Sequence, residues 1–248
     1  MYKKLLKKFV KKSGYDIHKK NNLKYEFYKK DLEIITSIKP FTLSTEERIF
    51  SLIEAVRYVL KNNIEGDFVE CGVWKGGSIM TMIKILQENN QEKDLYLYDT
   101  FAGMTKPTEF DRNIKNNYAS DYFEKAKIND DSSNLTNISL EEVKKNIMTL
   151  GYNSRKLHYV VGKVEKTLPR YAPEKIALLR LDTDWYESTK HELIHLFPLL
   201  SKGGIIIIDD YWSWQGSKLA TDEYFQEKNI PIFLRTTDIF GGVIGVKI

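Results

Sequence analysis

The sequence predicts a doubly wound α/β fold, a seven-stranded, mostly parallel sheet with helices on both faces, and three observations carry that reading. From Asp67 onward, apolar runs of strand length alternate with segments of helical period. Most of the runs are continuous, without in-and-out alternation, as expected of strands covered on both sides. Several end in a carboxylate or a glycine turn, at the edge where open α/β sheets bind ligands.

The elements follow in order. "MYKKLLKKFVKK" places Tyr2, Leu5, Leu6, Phe9 and Val10 at helical spacing with lysine pairs on the other face, a basic amphipathic helix. Its apolar face is expected to pack on the body or on a second copy, giving a homo-oligomer, with an anionic membrane surface as the less favoured partner. Residues 13–40 read as polar and irregular, so residues 1–40 form a basic extension ahead of the main domain, 41–248. "TEERIFSLIEAVRYVLKNN" is a patterned helix with Thr45 as its N-cap. Strands are expected over 68–73, 95–100, 157–162, 176–182, 204–210, 230–236 and 242–248. The polar stretch 105–134 breaks the rhythm and is expected to be a lid over the carboxyl edge of the sheet.

The totals bound the function. At 248 residues, 42% of them hydrophobic, the chain can bury one large core. Its single cysteine, Cys71, rules out an internal disulfide framework or a cysteine zinc cluster, and the expected setting is the reducing cytoplasm. No run is long and apolar enough to span a membrane, and no signal peptide is legible. The net charge of +4 is uneven: residues 1–30 hold eleven of the 38 Lys and Arg but only two of the 34 acids, so the body, with 27 bases and 32 acids, is acidic. Nucleic acid is therefore not an expected partner.

"EGDFVECGVWKGGSIM" reads as a strand, a turn with Gly72, Gly76 and Gly77, and a helix opening near Ser78. The glycine spacing is not the dinucleotide fingerprint, and alone it fits a structural βα turn. Glu70 at the end of the first strand and Asp99 at the end of the second, where an acid can take both hydroxyls of a ribose, add to it. Together they resemble the S-adenosylmethionine site of Rossmann-like methyltransferases; the alternative for Asp99 is a helix cap.

Asp182 and the pair Asp209 and Asp210 end adjacent apolar runs. On neighbouring strands three carboxylates would converge and repel, and an all-oxygen set favours Mg2+ over zinc or copper. The alternative is that these acids cap helices and pair with Lys or Arg such as Arg180. "HELIH" (191–195) matches a zinc-protease pattern but lies within a crossover helix, where His191 and Glu192 are expected to face solvent.

"GDFVECGVWKGGSIM", "YDTFAGM", "LLRLDTDWYESTKHEL", "GGIIIIDDYWSWQGSKLATDEYF" and the closing "GGVIGVKI" resemble the macrocin O-methyltransferase (TylF-type) family over about residues 40–248. The resemblance implies a class I methyltransferase fold and an enzyme that moves a methyl group from S-adenosylmethionine to a sugar hydroxyl with Mg2+. It implies Asp182, Asp209 and Asp210 as metal ligands, Asp184 as general base, and Glu70, Gly72, Ser78 and Asp99 as cofactor residues, with a sugar-containing small molecule as acceptor. A metal-dependent hydrolase built on the same acids, or a cofactor-binding subunit without catalysis, stand as alternatives. The lid, the "SWQG" stretch and the lysine-rich N-terminus depart from the family pattern and leave the acceptor open.

Overall fold

The computed structural model describes residues 28–248, so the expected helix over 1–12 lies outside the described residues. Helix α1 (Lys29–Ile38) replaces part of the irregular stretch expected before residue 40. Ile34, Ile35 and Ile38 bury one face of it in the main core, and Asp31, fully buried, takes both guanidinium nitrogens of Arg57 (2.6 and 3.0 Å). The lysines around this short apolar stripe hid it from a reading by hydrophobicity. Helix α2 (Glu46–Lys61) starts as expected, with the Thr45 hydroxyl accepting from Arg48 N–H at 3.2 Å.

Strand β1 (Asp67–Cys71) leads through a glycine turn into α3 (Gly77–Glu88), then β2 (Leu95–Asp99). The segment expected as a lid has structure of its own, α4 (Ala119–Ala126) and a small hairpin of β3 (Lys127–Asn129) and β4 (Ser132–Ser133). After it come α5 (Leu140–Met148), β5 (Leu157–Val161), the single turn α6 (Val164–Thr167), β6 (Ile176–Leu181), α7 (Tyr186–Leu196), β7 (Leu200–Ile208) and α8 (Gln215–Glu227). Strands β8 (Leu234–Thr236) and β9 (Val243–Val246) close the chain. β8 is shorter than the expected 230–236 because Ile230 to Phe233 run outside the ladder.

The sheet order is β5-β2-β1-β6-β7-β9-β8, with β9 antiparallel to both neighbours and the other pairs parallel. The winding reverses between β1 and β6, so the crevice for a ligand lies at their carboxyl ends. Continuous apolar strands are explained by two cores. Phe68, Leu178, Ile205 and Ile207 meet α1, α2, α3 and α5 on one face, while Val69, Leu179, Ile206 and Ile208 meet α7 and α8 on the other. Glu192 corrects the expectation for "HELIH": it is fully buried, and its two carboxylate oxygens share the Thr183 hydroxyl (3.0 and 3.1 Å). Among the described residues no helix is long and apolar enough to cross a membrane.

Candidate functional site

Parallel register sets the floor of the site. Glu70 on β1 lies opposite Arg180 on β6, and two residues further on Asp182 leaves the strand on the same face. Arg180 is 3% exposed, and its Nη1 donates to Glu70 Oε1 (2.6 Å) and Asp182 Oδ2 (2.7 Å) while Nη2 donates to Asp209 Oδ1 (2.7 Å) and Ser44 Oγ (3.2 Å). Burial pulls the pKa of Arg180 down, but Asp182, Asp209 and Glu70 together drive it well above the ordinary value, so the guanidinium stays charged. The pairing with Arg180 weighed in the sequence is thus real, and it coexists with the acid cluster.

That cluster forms as expected at the ends of β6 and β7. One oxygen each of Asp182, Asp209 and Asp210 lie within 4.8 Å of one another. Asp209 is held from both sides, since its Oδ2 also accepts from Arg48 Nη1 at 2.5 Å, and Arg48 is fixed in turn by Asp238 (3.0 Å). Asp182 keeps 29% of its side chain exposed, and Asp210 Oδ2 is buried with no partner. Burial and mutual repulsion raise the pKa values of Asp182 and Asp210 well above the carboxylate range. With Glu70 and Asp184 the centre holds five carboxylates against two arginines, and an orphaned, buried oxygen faces none of those donors. This all-oxygen donor set fits a hard divalent cation.

Asp184 adopts φ +67°, a left-handed conformation uncommon outside glycine, in the turn between β6 and α7. Burial, then the charge of Asp182, pushes its pKa up to about 8, with Asp210 and the Trp214 indole N–H acting in the opposite direction. A carboxylate whose proton affinity is raised in this way is suited to general-base work near neutral pH.

The expected cofactor residues separate into two layers. Gly72 has φ +83°, and a Cβ there would sit 2.0 Å from the carbonyl oxygen of Asp182, so only glycine lets the β1 turn pass the end of β6. Asp99 bridges this turn to its own: Oδ2 accepts from Val73 and Trp74 N–H (2.7 and 3.2 Å), and Oδ1 from Phe101 N–H (2.8 Å). Both residues line the crevice. Glu70, 1% exposed, lies beneath it, where burial raises its pKa to about 7 against the pull of Arg180. Ser78, in the first turn of α3, lines the cavity above Glu70, whose Oε2 is buried without a partner.

Two cavities meet here. One is walled by Tyr98, Asp99, Thr100, Met104, Gly162, Lys163 and Val164, the other by Phe41, Leu43, Arg48, Trp74, Ser78, Asp209, Asp210 and Trp214. Gly72, Asp99, Met104, Thr136, Asp182 and Asp184 belong to both, so Asp182 and Asp184 stand at the boundary. The segment expected as a lid is tied to the turn that carries Asp184. Asp111, fully buried, accepts from Tyr186 N–H at 2.7 Å and so caps α7 from outside, and Trp185 Nε1 donates to Thr105 O (2.9 Å).

Arg48, Trp74, Asp111 and Trp214 were not singled out by sequence reasoning. Arg180 was weighed only as an alternative partner, although a charge inside the apolar run "IALLRLD", on the same strand face as Asp182, signals a buried pair.

The model of the family described as macrocin-O-methyltransferase (TylF) matches residues 2–244. Demethyldecarbamoylnovobiocin O-methyltransferase of Streptomyces niveus is 33% identical over 193 residues, 77% of this chain and 70% of that one. The 8-demethyl-8-(2,3-dimethoxy-alpha-L-rhamnosyl)-tetracenomycin-C 4'-O-methyltransferase of Streptomyces olivaceus is 32% identical over 66% of this chain and 60% of its own. Among solved structures, the O-methyltransferase NovP superposes with a TM-score of 0.72 at 29% identity, covering 84% of this chain and 82% of that one.

Proposed function

Because this chain belongs to the macrocin O-methyltransferase (TylF) family, we propose that it transfers a methyl group from S-adenosylmethionine to a hydroxyl of a sugar-containing small molecule, with a divalent cation such as Mg2+ in the acid cluster. The observation that carries the reading is the pair of cavities meeting at Asp182 and Asp184. The cavity beside Asp99 suits the nucleoside, since its carboxylate stands at the end of β2 beside a turn that glycine opens to close approach. The cavity beside Asp209 and Asp210 suits the acceptor.

S-adenosylmethionine supplies the methyl group already activated on a sulfonium, and a divalent cation, when bound, lowers the pKa of an acceptor hydroxyl. The work of the chain is then positional. Asp182 and Asp210, with oxygens free of arginine donors, would hold the cation, and Asp209 would hold the frame through Arg48 and Arg180. Asp184, at the boundary, takes the proton from the attacking hydroxyl as the methyl group moves in line. A hydrolase using the same acids is disfavoured by the family match, and a silent cofactor-binding subunit leaves the acid cluster without a purpose.

Titration calorimetry with S-adenosylmethionine, followed by release of S-adenosylhomocysteine in the presence of deoxysugar glycosides with Mg2+ or with a chelator, tests the proposal. Binding and Mg2+-dependent turnover are expected, and Asp184→Asn should lower kcat by about 10²-fold or more while cofactor affinity holds. Failure to bind S-adenosylmethionine would sink the reading.

A further inference from the structure

Eight non-glycine residues among those described have positive φ. Four are asparagines, Asn63, Asn90, Asn116 and Asn229, which tolerate the left-handed region. The other four, Trp74 (+45°), Phe101 (+49°), Thr136 (+49°) and Asp184 (+67°), all lie at or beside the two cavities. Strained backbone persists where the surroundings hold it and function requires it. Asp184 already has a role, and Trp74 is the bulkiest side chain of the remaining three.

Its setting makes the choice of residue informative. Trp74 sits in a turn whose neighbouring positive-φ positions, Gly72 (+83°) and Gly76 (+89°), are glycines. Glycine at 74 would relieve the strain and keep the backbone N–H that donates to Asp99 Oδ2 (3.2 Å), yet the sequence has tryptophan, whose indole has the Lys75 ammonium 4.9 Å from its centroid on one face. The indole is only partly buried and belongs to neither apolar core, so filling the interior does not explain it. It lines the cavity of the acid cluster together with Leu43, which is 73% exposed, and Trp214. That cavity therefore joins an aromatic and aliphatic wall to a carboxylate centre, the two chemistries of a pyranose: a C–H face that lies on aromatic rings and a hydroxyl edge that takes carboxylates and cations.

We infer that the Trp74 indole is the platform on which the C–H face of the acceptor sugar lies, so that its hydroxyl edge points to Asp182, Asp184 and Asp210. The inference rests on the methyl-transfer reading and adds a residue that selects the acceptor. Methyl α-L-rhamnopyranoside, a 6-deoxyhexoside of the kind named for the Streptomyces olivaceus relative, is the probe. Its binding to protein saturated with S-adenosylhomocysteine and Mg2+ is followed by saturation-transfer NMR, alongside S-adenosylmethionine calorimetry and thermal unfolding.

For Trp74→Gly the expected result is sugar binding weakened about tenfold or more, cofactor affinity kept, and a melting temperature equal to or above that of the parent. Trp74→Phe should keep most of the sugar binding, and Trp74→Leu, apolar without an aromatic face, supplies the same comparison should the glycine variant be unfolded. Sugar binding unchanged in both Trp74→Gly and Trp74→Leu overturns the inference, and so does a loss of cofactor affinity with sugar binding retained. A parent protein that binds S-adenosylmethionine but not the rhamnoside overturns the sugar platform and leaves methyl transfer standing, whereas one that binds no S-adenosylmethionine removes the reading beneath it.

Discussion

At the scale of residues, the acid cluster is a problem in charge that two arginines solve only in part. Asp209 has both oxygens on guanidinium groups, whereas Asp182 and Asp210 each keep an oxygen that meets no arginine. Asn at 182 or 210 should therefore weaken Mg2+ binding, measured by calorimetry, more than Asn at 209. Asp209→Asn should instead lower the melting temperature, because removing one partner of a buried ion pair strands the other and costs about 3–5 kcal/mol. Equal loss of metal affinity in all three variants would contradict the division. Glu192, which takes the hydroxyl of Thr183 between Asp182 and Asp184, gives a second test. Burial holds its pKa well above the ordinary carboxylate value of 4.5. Its folded pKa is raised, so the stability it contributes is full below pH 4.5 and is lost as pH rises toward the folded value. Glu192→Gln keeps the Thr183 hydrogen bond without that loss. Its unfolding free energy, measured by denaturant titration, should change least relative to the parent near pH 4.5 and gain on it as pH rises, by at most about 1.4 kcal/mol per pH unit. Parallel curves would mean that Glu192 ionises freely.

At the scale of elements, two side chains join the segment 105–134 to the turn that carries Asp184: Trp185, through its indole N–H to Thr105 O, and Asp111. Asp111 Oδ1 takes the first N–H of α7, and its Oδ2 takes the N–H and hydroxyl of Thr108 (2.7 and 2.9 Å). A Cβ on Gly216, at the start of α8, would come within 1.9 Å of Asp111 Oδ1, so the "QG" of the "SWQG" stretch is the room in which this carboxylate fits. Asp111→Ala leaves Tyr186 N–H buried without a partner, at about 1–3 kcal/mol, and frees the turn that carries Asp184. A lower melting temperature together with a lower kcat is expected, and Asp111→Asn, whose amide oxygen still accepts from Tyr186 while its amide nitrogen faces the Thr108 N–H, should recover kcat but only part of the stability. A loss of stability with kcat intact would show that the lid does not set the position of Asp184.

At the scale of the whole molecule, the strand-and-helix rhythm was legible because most strands of the large sheet are predominantly apolar and because α2 and α5 bury one clear face. The three aspartates were legible because a carboxylate that ends an apolar run is costly to place there unless a cation or a hydrogen-bond network compensates it. What stayed hidden follows from long-range pairing. Arg48 reaches Asp209 across 161 positions of sequence and Asp111 reaches Tyr186 across 75, and nothing local marks either contact. Helix α1 was missed because its apolar stripe is short and its anchor, Asp31 to Arg57, is a charge pair. The position of the crevice also makes the enzyme divisible. Every residue of the β1 and β2 turns precedes the exposed loop at Glu174, and every aspartate of the cluster follows it, with Glu70 and Arg180 facing each other across the join. A chain cut between Pro173 and Glu174 therefore yields two pieces, neither holding a complete site. Co-expressed, 1–173 and 174–248 should dock along β1 and β6 and restore methyl transfer as a split enzyme, whereas Arg180→Leu in the shorter piece should prevent reassembly. Turnover by either piece alone would place the chemistry somewhere other than this seam.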